Sequence, residues 1–554
     1  MPAKTIVIGL DGATLDVIEP LSREHKLPTL SRVMKGGAFG KLRSTCPPNS
    51  AVAWSSFMTG KNPGKHSIFH FYVKQYGTYF SEPVTSKNIK CPALWEEISR
   101  ADKRVAVVNV PMTYPPRRVN GSMITGLGTP PSAPQYTYPK ELAQEIETAL
   151  GERLPEIQWT QYDDENIPEF IEDVTHLTDR TYNMAQMVLE QELWDLFMVV
   201  FTGPDRIQHR LWDYMDYTDH QFSKRVQSDP EFKYRSELVK NYFFSLDNTV
   251  HKLIEKAGND ANIILLSDHG AGKYSRLVDL NNLLSDWGYL TYRELSQINT
   301  KKSKAKTFAK KMGLSLDLVK KIQKLSGLKF DYHKYLEKHS SHINKIDWDR
   351  TRAFCYIGCS IYINVKDRER YGTVEPGAEY EELIQELTAK LLDLRDPVKG
   401  HNIVNEVKRK GDVYWGPYSE EAPDLIFTEV DPSYDFANLL FSNDGNNSIF
   451  IDLDDKVQGT HQFDGFYAVS GSKIKQNFRF DNAHITDLFP TILHLMDIPI
   501  PEDVDGQVLV DIFKTSEQEI KFSNRSSEVD SLTLDVTEED KEKIMDELKG
   551  LGYM

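Results

Sequence analysis

Cysteine is scarce in this sequence: four residues in 554, at Cys46, Cys91, Cys355 and Cys359. That excludes a disulfide framework. The last two have a CxxxC spacing, but no second Cys or His pair follows at zinc-site spacing, so all four are expected as reduced thiols. Long apolar runs are missing as well. No stretch reaches the ~18 residues of a membrane span, and the apolar part of the opening MPAKTIVIGLDG is too short for a secretory signal and runs straight into Asp11. The expectation is a cytoplasmic protein. Basic residues are in deficit, 66 Lys and Arg against 82 Asp and Glu, giving a formal net charge of −16. Such a chain carries no specific nucleic-acid signal; an anionic partner would have to be met by a local basic patch or by metal ions.

What the sequence does have is a series of short β-branched runs alternating with helical patterns. Thr5–Leu10, Val105–Val110, Leu196–Phe201 and Asn262–Leu266 form a first set of strands, and Leu425–Val430, Ser448–Ile451 and Phe466–Val469 a later one. Leu238–Lys256 has helical periodicity. Continuous apolar strands separated by helices predict an α/β fold with a mainly parallel sheet sandwiched by helices, and chemistry at the strands' carboxyl ends. Residues 1–280 read as the first part of the core and 351–514 as the second. Between them, 281–350 reads as an inserted helical cap: ten lysines lie from Lys301 to Lys329, with Asp317 the sole acid there. A basic, amphipathic segment of this kind fits peripheral contact with an anionic membrane, or capture of the anionic part of a large substrate. Residues 515–554 read as a polar linker and a short terminal helix.

Several residues carry chemical potential. Asp11 follows the first strand, in GLDG. Ser50 opens a helix-forming stretch, Ala51–Met58, after CPPN; a serine there serves either as an N-cap, the commoner role, or as a nucleophile assisted by helix amides. Asp205 and His209, after the Leu196–Phe201 strand, have the D-x-x-x-H spacing that puts both on one face of a helical turn and suits a divalent metal. Asp216 and His220 repeat the spacing in a polar stretch with no strand before it, and are expected to be a solvated decoy. Asp268 and His269 end the Asn262–Leu266 strand in SDHGAG, and His461 stands shortly before the Phe466–Val469 strand.

Taken in order, Asp11, Ser50, Asp205/His209, Asp268/His269 and His461 resemble the site of the alkaline phosphatase superfamily, in its type I phosphodiesterase/nucleotide pyrophosphatase branch. The resemblance extends to NPGKH (Asn62–His66), TDLFPTILHLMDIP (Thr486–Pro499), DGQVL (Asp505–Leu509) and LKGLGY (Leu548–Tyr553). It implies an alkaline-phosphatase-like core and a two-metal phosphohydrolase acting on a small or lipid-linked phosphate ester. Asp205, His209 and His461 would bind one metal. Asp11, Asp268 and His269 would bind the other, with Ser50 as a further ligand and as nucleophile through a phosphoseryl-type intermediate. Many relatives use Thr in that place. Nucleotide pyrophosphatases also carry an Asn beyond the nucleophile, whereas no Asn lies between Ser50 and Lys61 here; Asn49 and Lys61 are the candidate substitutes in substrate binding.

A mixed Asp/His set suits zinc first, with manganese or iron as alternatives, and is unlike the all-oxygen sets of magnesium or calcium. Other readings on the same fold are a phosphomonoesterase or other phosphotransferase, a sulfatase-like hydrolase and a non-catalytic binding protein. The sulfatase reading meets a mismatch, because Ser50 is followed by Ala51-Val52-Ala53-Trp54 without that family's Pro and Arg. A cofactor-independent phosphoglycerate mutase would need a large insertion, and the stretch between Ser50 and Asp205 leaves no room for one.

Overall fold

The computed structural model describes residues 4–74, 79, 81–151, 166–191, 193–293, 345–356, 358–437, 448–453, 458–515, 519–524 and 534–550. Its centre is a ten-stranded sheet. The fully buried strand Thr5–Leu10 lies in the middle, parallel to Leu196–Phe201 on one side and Asn262–Leu266 on the other. Beyond Leu196–Phe201 come Val105–Val110 and Gly121–Thr125, also parallel, and then the short antiparallel Thr137–Tyr138. Strands buried on both faces must be apolar throughout, which is why these runs read as unbroken Val, Ile and Leu.

Register sets up the site. Leu10 pairs with Phe201, and Gly9 with Leu266. Three neighbouring strands therefore end level, and the residues that follow them, Asp11, the Asp205 turn and Asp268, emerge at one sheet edge. The helices Pro28–Gly36, Ile167–Gln191 and Pro230–Ala257 pack together as one layer, and Ser50–Thr59, Leu94–Arg100 and Leu488–Leu495 form another group. Asp247 ties two helices of the first layer: its buried carboxylate accepts from Thr29 N at 3.0 Å and Leu30 N at 2.9 Å, answering the free amides of the Pro28 helix.

The central sheet is mainly parallel, as expected, but the later strands do not all join it in that direction. Phe466–Val469 belongs to Asp464–Ser470, which enters the main sheet antiparallel, between Asn262–Leu266 and Ala38–Arg43. Leu425–Val430 lies outside the main sheet, in a four-stranded antiparallel sheet with Ala353–Phe354, Ser360–Ile363 and Val404–Arg409. The Ser448–Ile451 run is a strand at Phe450–Asp452, in a third sheet with Arg276–Asp279 and Tyr434–Ala437. An apolar run states that a strand is buried; it does not state its partner or direction.

These smaller sheets surround a second apolar core that includes Leu283, Leu284, Ile361, Leu387 and Phe436. This smaller lobe takes in the first residues of the expected cap, because the helix Leu280–Asp286 packs into it. Tyr292 bridges to Ile346, and Arg293 N donates to Lys345 O at 2.7 Å, so the chain leaves and re-enters the lobe at one point. The lysine-rich stretch Lys301–Lys329 lies outside the described residues. A hairpin of the larger body docks on the lobe: Tyr79 stacks on Trp348 with ring centroids 3.6 Å apart, and Lys74 pairs with Glu369. Within the expected linker, Phe522–Ser523 pairs with Ile500–Pro501 instead of running free. The terminal helix spans Glu538–Gly550 and buries Ile544 and Leu548 in the main core. All four cysteines are free, and no described helix is long and apolar enough to cross a membrane.

Candidate metal centre

Ser50 is the first residue of its helix, and the cap is Asn49, whose side chain accepts from Val52 N at 3.1 Å. The capping task, which the sequence left open to Ser50, is therefore taken by its neighbour. The fully buried Ser50 Oγ lies 3.3 Å from Asp11 Oδ1 and 3.2 Å from His269 Nε2. Trp54, one turn on, donates from Nε1 to Asp11 Oδ2 at 2.9 Å and fixes that carboxylate. Gly9 leaves room for the indole, since a Cβ there would lie 2.5 Å from its ring.

Asp268 and His269 complete the buried half of the centre. Asp268 Oδ1 accepts from Gly12 N at 3.1 Å, and its Oδ2 is buried with no hydrogen-bond donor among the described residues. His269 Nε2 lies 3.4 Å from that oxygen and 3.6 Å from Asp11 Oδ1. Gly12 adopts φ +68, a conformation that favours glycine, and a Cβ there would stand 2.8 Å from Asp205 Oδ1. The Ser267 hydroxyl lies within reach of Ala13 O and His269 O, at 2.6 and 2.7 Å, and so braces two of the strand ends against each other.

The other half is more open. The helix Gly203–Leu211 places Asp205 and His209 on one face, with Oδ1 to Nε2 3.2 Å. His461 arrives from a strand that the sequence did not reveal, Gln458–Gln462, paired antiparallel with Gly270–Tyr274. Its Nε2 is 3.0 Å from His209 Nε2 and 3.9 Å from Asp205 Oδ1. The His209 and His461 side chains are 25% and 18% exposed, whereas those of Asp268 and His269 are at 0%, so one half lies deep and the other faces the cleft.

Two groups of ligand atoms thus converge: Asp205, His209 and His461, and Asp11, Asp205 and His269, each within 4.8 Å. Asp205 stands in both, while Asp268 presents its unsatisfied oxygen beside the second. The electrostatics follow from this packing. Burial, then the charges of Asp268 and Asp205, drives the Asp11 carboxyl well above its usual range. Burial, with Asp205 adding to it, pushes Asp268 up to about 8 despite the Gly12 amide. Burial would raise Asp205 too, but His209, His461 and His269 hold it well below the usual carboxylate range. Burial would depress His209, yet Asp205 raises it; at His461 burial, His269 and His209 together depress it strongly. Carboxylates packed this closely call for cations.

The histidines are also oriented as metal ligands are. His209 Nδ1 lies 2.9 Å from Gly459 O and His269 Nδ1 2.9 Å from Gly270 O, which turns each Nε2 into the centre. With the unsatisfied Asp268 oxygen, these observations fit divalent metal ions of the kind that imidazole and carboxylate share.

Other singled-out residues lie elsewhere. Asp216 is buried and caps a local turn, accepting from Thr218 Oγ1 at 2.6 Å and Asp219 N at 3.2 Å, while the His220 side chain is 82% exposed. Only half of that decoy is solvated, and among the described residues it joins no candidate metal group. Lys61 lies past the far end of the Ser50 helix, roughly 15 Å along its axis, and pairs with Asp503. Ser56 and His66 form a second Ser–His pair at 2.8 Å, but Ile68 N donates to His66 Nδ1 at 3.1 Å. His66 must then donate through Nε2, so it cannot serve Ser56 as a base. The NPGKH and DGQVL segments meet through Asp505, which accepts from Asn62 N, Asn62 Nδ2, Lys65 Nζ and Trp415 Nε1. Sequence reasoning passed over Trp54 and also His70, an imidazole whose buried Nδ1 has no partner among the described residues and whose ring stacks on Tyr72 at 6.0 Å.

The geometry can be set beside known proteins. No curated relative matches this sequence. Phosphonoacetate hydrolase from Sinorhizobium meliloti 1021, solved with phosphonoacetate, aligns over 90% of this chain and 96% of its own at 13% identity and a TM-score of 0.54; the likeness establishes the fold. The human ectonucleotide pyrophosphatase/phosphodiesterase 5 aligns over 92% of this chain and 100% of its own, with 14% identity and a TM-score of 0.48. The family model for type I phosphodiesterase/nucleotide pyrophosphatase matches residues 5–461, from the first strand to His461. The chain belongs to the type I phosphodiesterase/nucleotide pyrophosphatase family, and is a metal-dependent phosphoric ester hydrolase of that type.

Proposed function

We propose that the chain hydrolyses phosphodiesters or pyrophosphates with Ser50 as nucleophile, at a centre that holds two divalent ions, zinc first and manganese or iron as alternatives. The observation that carries this reading is the position of Ser50 Oγ: relieved of capping by Asn49, it stands between Asp11 and His269 at a helix N-terminus. Asp205, His209 and His461 would hold one ion, and Asp11, Asp268, His269 and Ser50 the other. Bound there, the ions would lower the pKa of the serine hydroxyl and neutralise charge on the reacting phosphate oxygens.

The residues supply the rest. Asp11, clamped by Trp54, accepts from Ser50 Oγ and so orients the hydroxyl. The first-turn amides of the Ser50 helix favour the anionic phosphate. Ser50 Oγ gives up its proton to solvent and attacks phosphorus; the P–O bond to the leaving alcohol or phosphate breaks, that group takes up a proton from water, and a phosphoseryl ester forms. Water then attacks that ester, breaking the Oγ–P bond and returning the serine. His209 and His461 form the solvent-facing half of the centre.

Preference for a diester over a monoester follows from charge. A monoester dianion needs an additional cation near the nucleophile, and the three basic residues flanking Ser50 in sequence are committed elsewhere. Arg43 pairs with Asp464 at 3.2 Å, Lys65 with Asp505 at 2.6 Å, and Lys61 with Asp503. The test compares aryl diester, aryl monoester and nucleotide pyrophosphate on zinc-loaded and chelated protein at one pH. Diester or pyrophosphate should give the higher kcat/KM, and chelation should remove turnover. A clear preference for the monoester would overturn the substrate assignment, and full turnover in metal-free protein would overturn the mechanism.

A further inference from the structure

The five-residue strand Gln458–Gln462 serves the open half of the centre twice. It carries His461, and its Gly459 carbonyl accepts from His209 Nδ1 at 2.9 Å. Two of the three ligands of one site therefore depend on where this strand lies. Its own composition, QGTHQ, offers no apolar side chain to bury, so packing alone holds it weakly. Among the described residues it is placed by pairing with Gly270–Tyr274, by its close approach to the Gly203–Leu211 helix at Gly459 and by two further side-chain hydrogen bonds. One is Tyr274 Oη to Gln458 Oε1 at 3.0 Å, at the strand's start. The other is beside the ligand itself: Thr460 Oγ1 donates to Asp435 Oδ2 at 2.8 Å.

Asp435 belongs to neither ligand group. It sits on Tyr434–Ala437, a strand of the smaller lobe, in register with Leu277. Its second oxygen accepts from Phe436 N at 2.8 Å, so the carboxylate is held from its own strand and has one oxygen to offer Thr460. Successive residues of a strand face opposite ways. Thr460 can therefore reach Asp435 on one side while Gly459 and His461 address the centre.

We propose that Asp435 is a positioning residue for the site of Asp205, His209 and His461: through the Thr460 hydroxyl it fixes the strand that supplies His461 and orients His209, so that the seating of the smaller lobe sets metal occupancy at this site and not at the Asp11, Asp268 and His269 site. The proposal rests on the two-metal reading above. Partners behind metal ligands typically change metal affinity 10–100-fold when removed.

The experiment uses the full chain, stripped of metal and titrated with zinc against a chromophoric chelator. Wild type, Asp435→Asn, Thr460→Val and Thr460→Ser are compared, with His461→Ala marking which of the two binding constants belongs to the open site. Thr460→Val keeps the shape and loses the hydroxyl; Thr460→Ser keeps the hydroxyl. The expected result is a 10–100-fold weakening of the open site alone in Thr460→Val, a smaller weakening in Asp435→Asn, whose amide can donate back to the Thr460 hydroxyl, near-normal binding in Thr460→Ser, and at most a small fall in metal-free Tm from the one lost hydrogen bond. In the His461→Ala background, Thr460→Val should add less than it does alone, since only the orientation of His209 is left to lose. Two unchanged zinc affinities in Thr460→Val overturn the proposal. So does equal weakening of both sites with a fall in metal-free Tm, which marks a merely structural bond. Wild-type protein that takes up no zinc overturns the two-metal reading and the proposal with it.

Discussion

A serine at the start of a helix carries one hydroxyl that can cap or react, and the side chain before it decides which. Asn49 accepts from Val52 N, and Ser50 is left facing Asp11 and His269. Ser50→Ala should therefore leave the helix and most zinc binding intact while lowering kcat on the order of 10³-fold or more. The control residues behave differently. His220→Ala, at an exposed side chain, should change neither turnover nor stability; Asp216→Ala should cost about 1 kcal/mol of stability through its lost turn bonds and leave turnover alone. Turnover losses of equal size in these variants and in Ser50→Ala, measured on one diester, would refute the assignment. The convergence of these side chains was legible because Asp11 and Asp268 stand just after apolar strands, and Asp205 and His209 at helical spacing beyond another. The residues that orient them were not. Trp54 looks like any core aromatic until its indole is seen on Asp11, and Asn49 and Ser50 are adjacent polar residues either of which could cap. Lys61, attractive by nearness in sequence, is carried away by the rise of the helix between it and Ser50.

At the scale of elements, the strands that build the main sheet announce themselves because burial on both faces demands unbroken apolar residues. Their direction and partners stay hidden, which is why Leu425–Val430 falls in a different sheet and Asp464–Ser470 runs antiparallel. The strand that matters most for the centre, Gln458–Gln462, shows no apolar alternation at all, since it is held by its neighbours' backbone and not by a core. Its closeness to the Gly203–Leu211 helix depends on Gly459, where an added Cβ would lie 2.3 Å from Gln208 O. A backbone oxygen cannot step aside as a side chain can. Gly459→Ala should push the strand off the helix, at a cost of about 1–3 kcal/mol, and separate His461 from His209. The measurement pairs thermal unfolding with zinc stoichiometry: a lowered Tm together with loss of one zinc is expected, and an unchanged zinc content would show that the strand has slack.

For the whole molecule, two fields act at different ranges. The lysine-rich stretch opposes a net charge of −16, and we propose that it engages an anionic surface, each lysine near the surface contributing ~1 kcal/mol at low salt. Co-sedimentation with anionic and neutral vesicles should show binding to the anionic ones only, lost at high salt and on Lys→Gln changes at Lys301, Lys302, Lys304, Lys306, Lys310 and Lys311; equal binding by intact and substituted chains would remove the idea. The second field is internal, from Asp11, Asp268 and Asp205 packed at one sheet edge. In metal-free protein Asp268 is raised from 3.8 to about 8, and Asp11 is raised in the same sense. A group whose folded pKa lies above its unfolded value gives stability that is complete below the unfolded value and is lost as pH rises through the folded one. Asp205 has the opposite sense, but its contribution is already complete above its ordinary range near 4. His461, depressed, adds stability only up to the ordinary histidine value near 6.5. Glu547, raised to about 7 by burial, titrates alike whether or not metal is present, and cancels in a comparison. Between about pH 7 and 8.5 the metal-free protein should therefore lose stability with rising pH. Bound cations would take the place of the protons, keep the carboxylates charged and remove that slope, while adding ~4 kcal/mol at a free-ion concentration a thousand times Kd. The Tm gap between zinc-loaded and metal-free protein should accordingly widen as pH rises across this window. Parallel Tm curves would mean that these carboxylates do not face a metal.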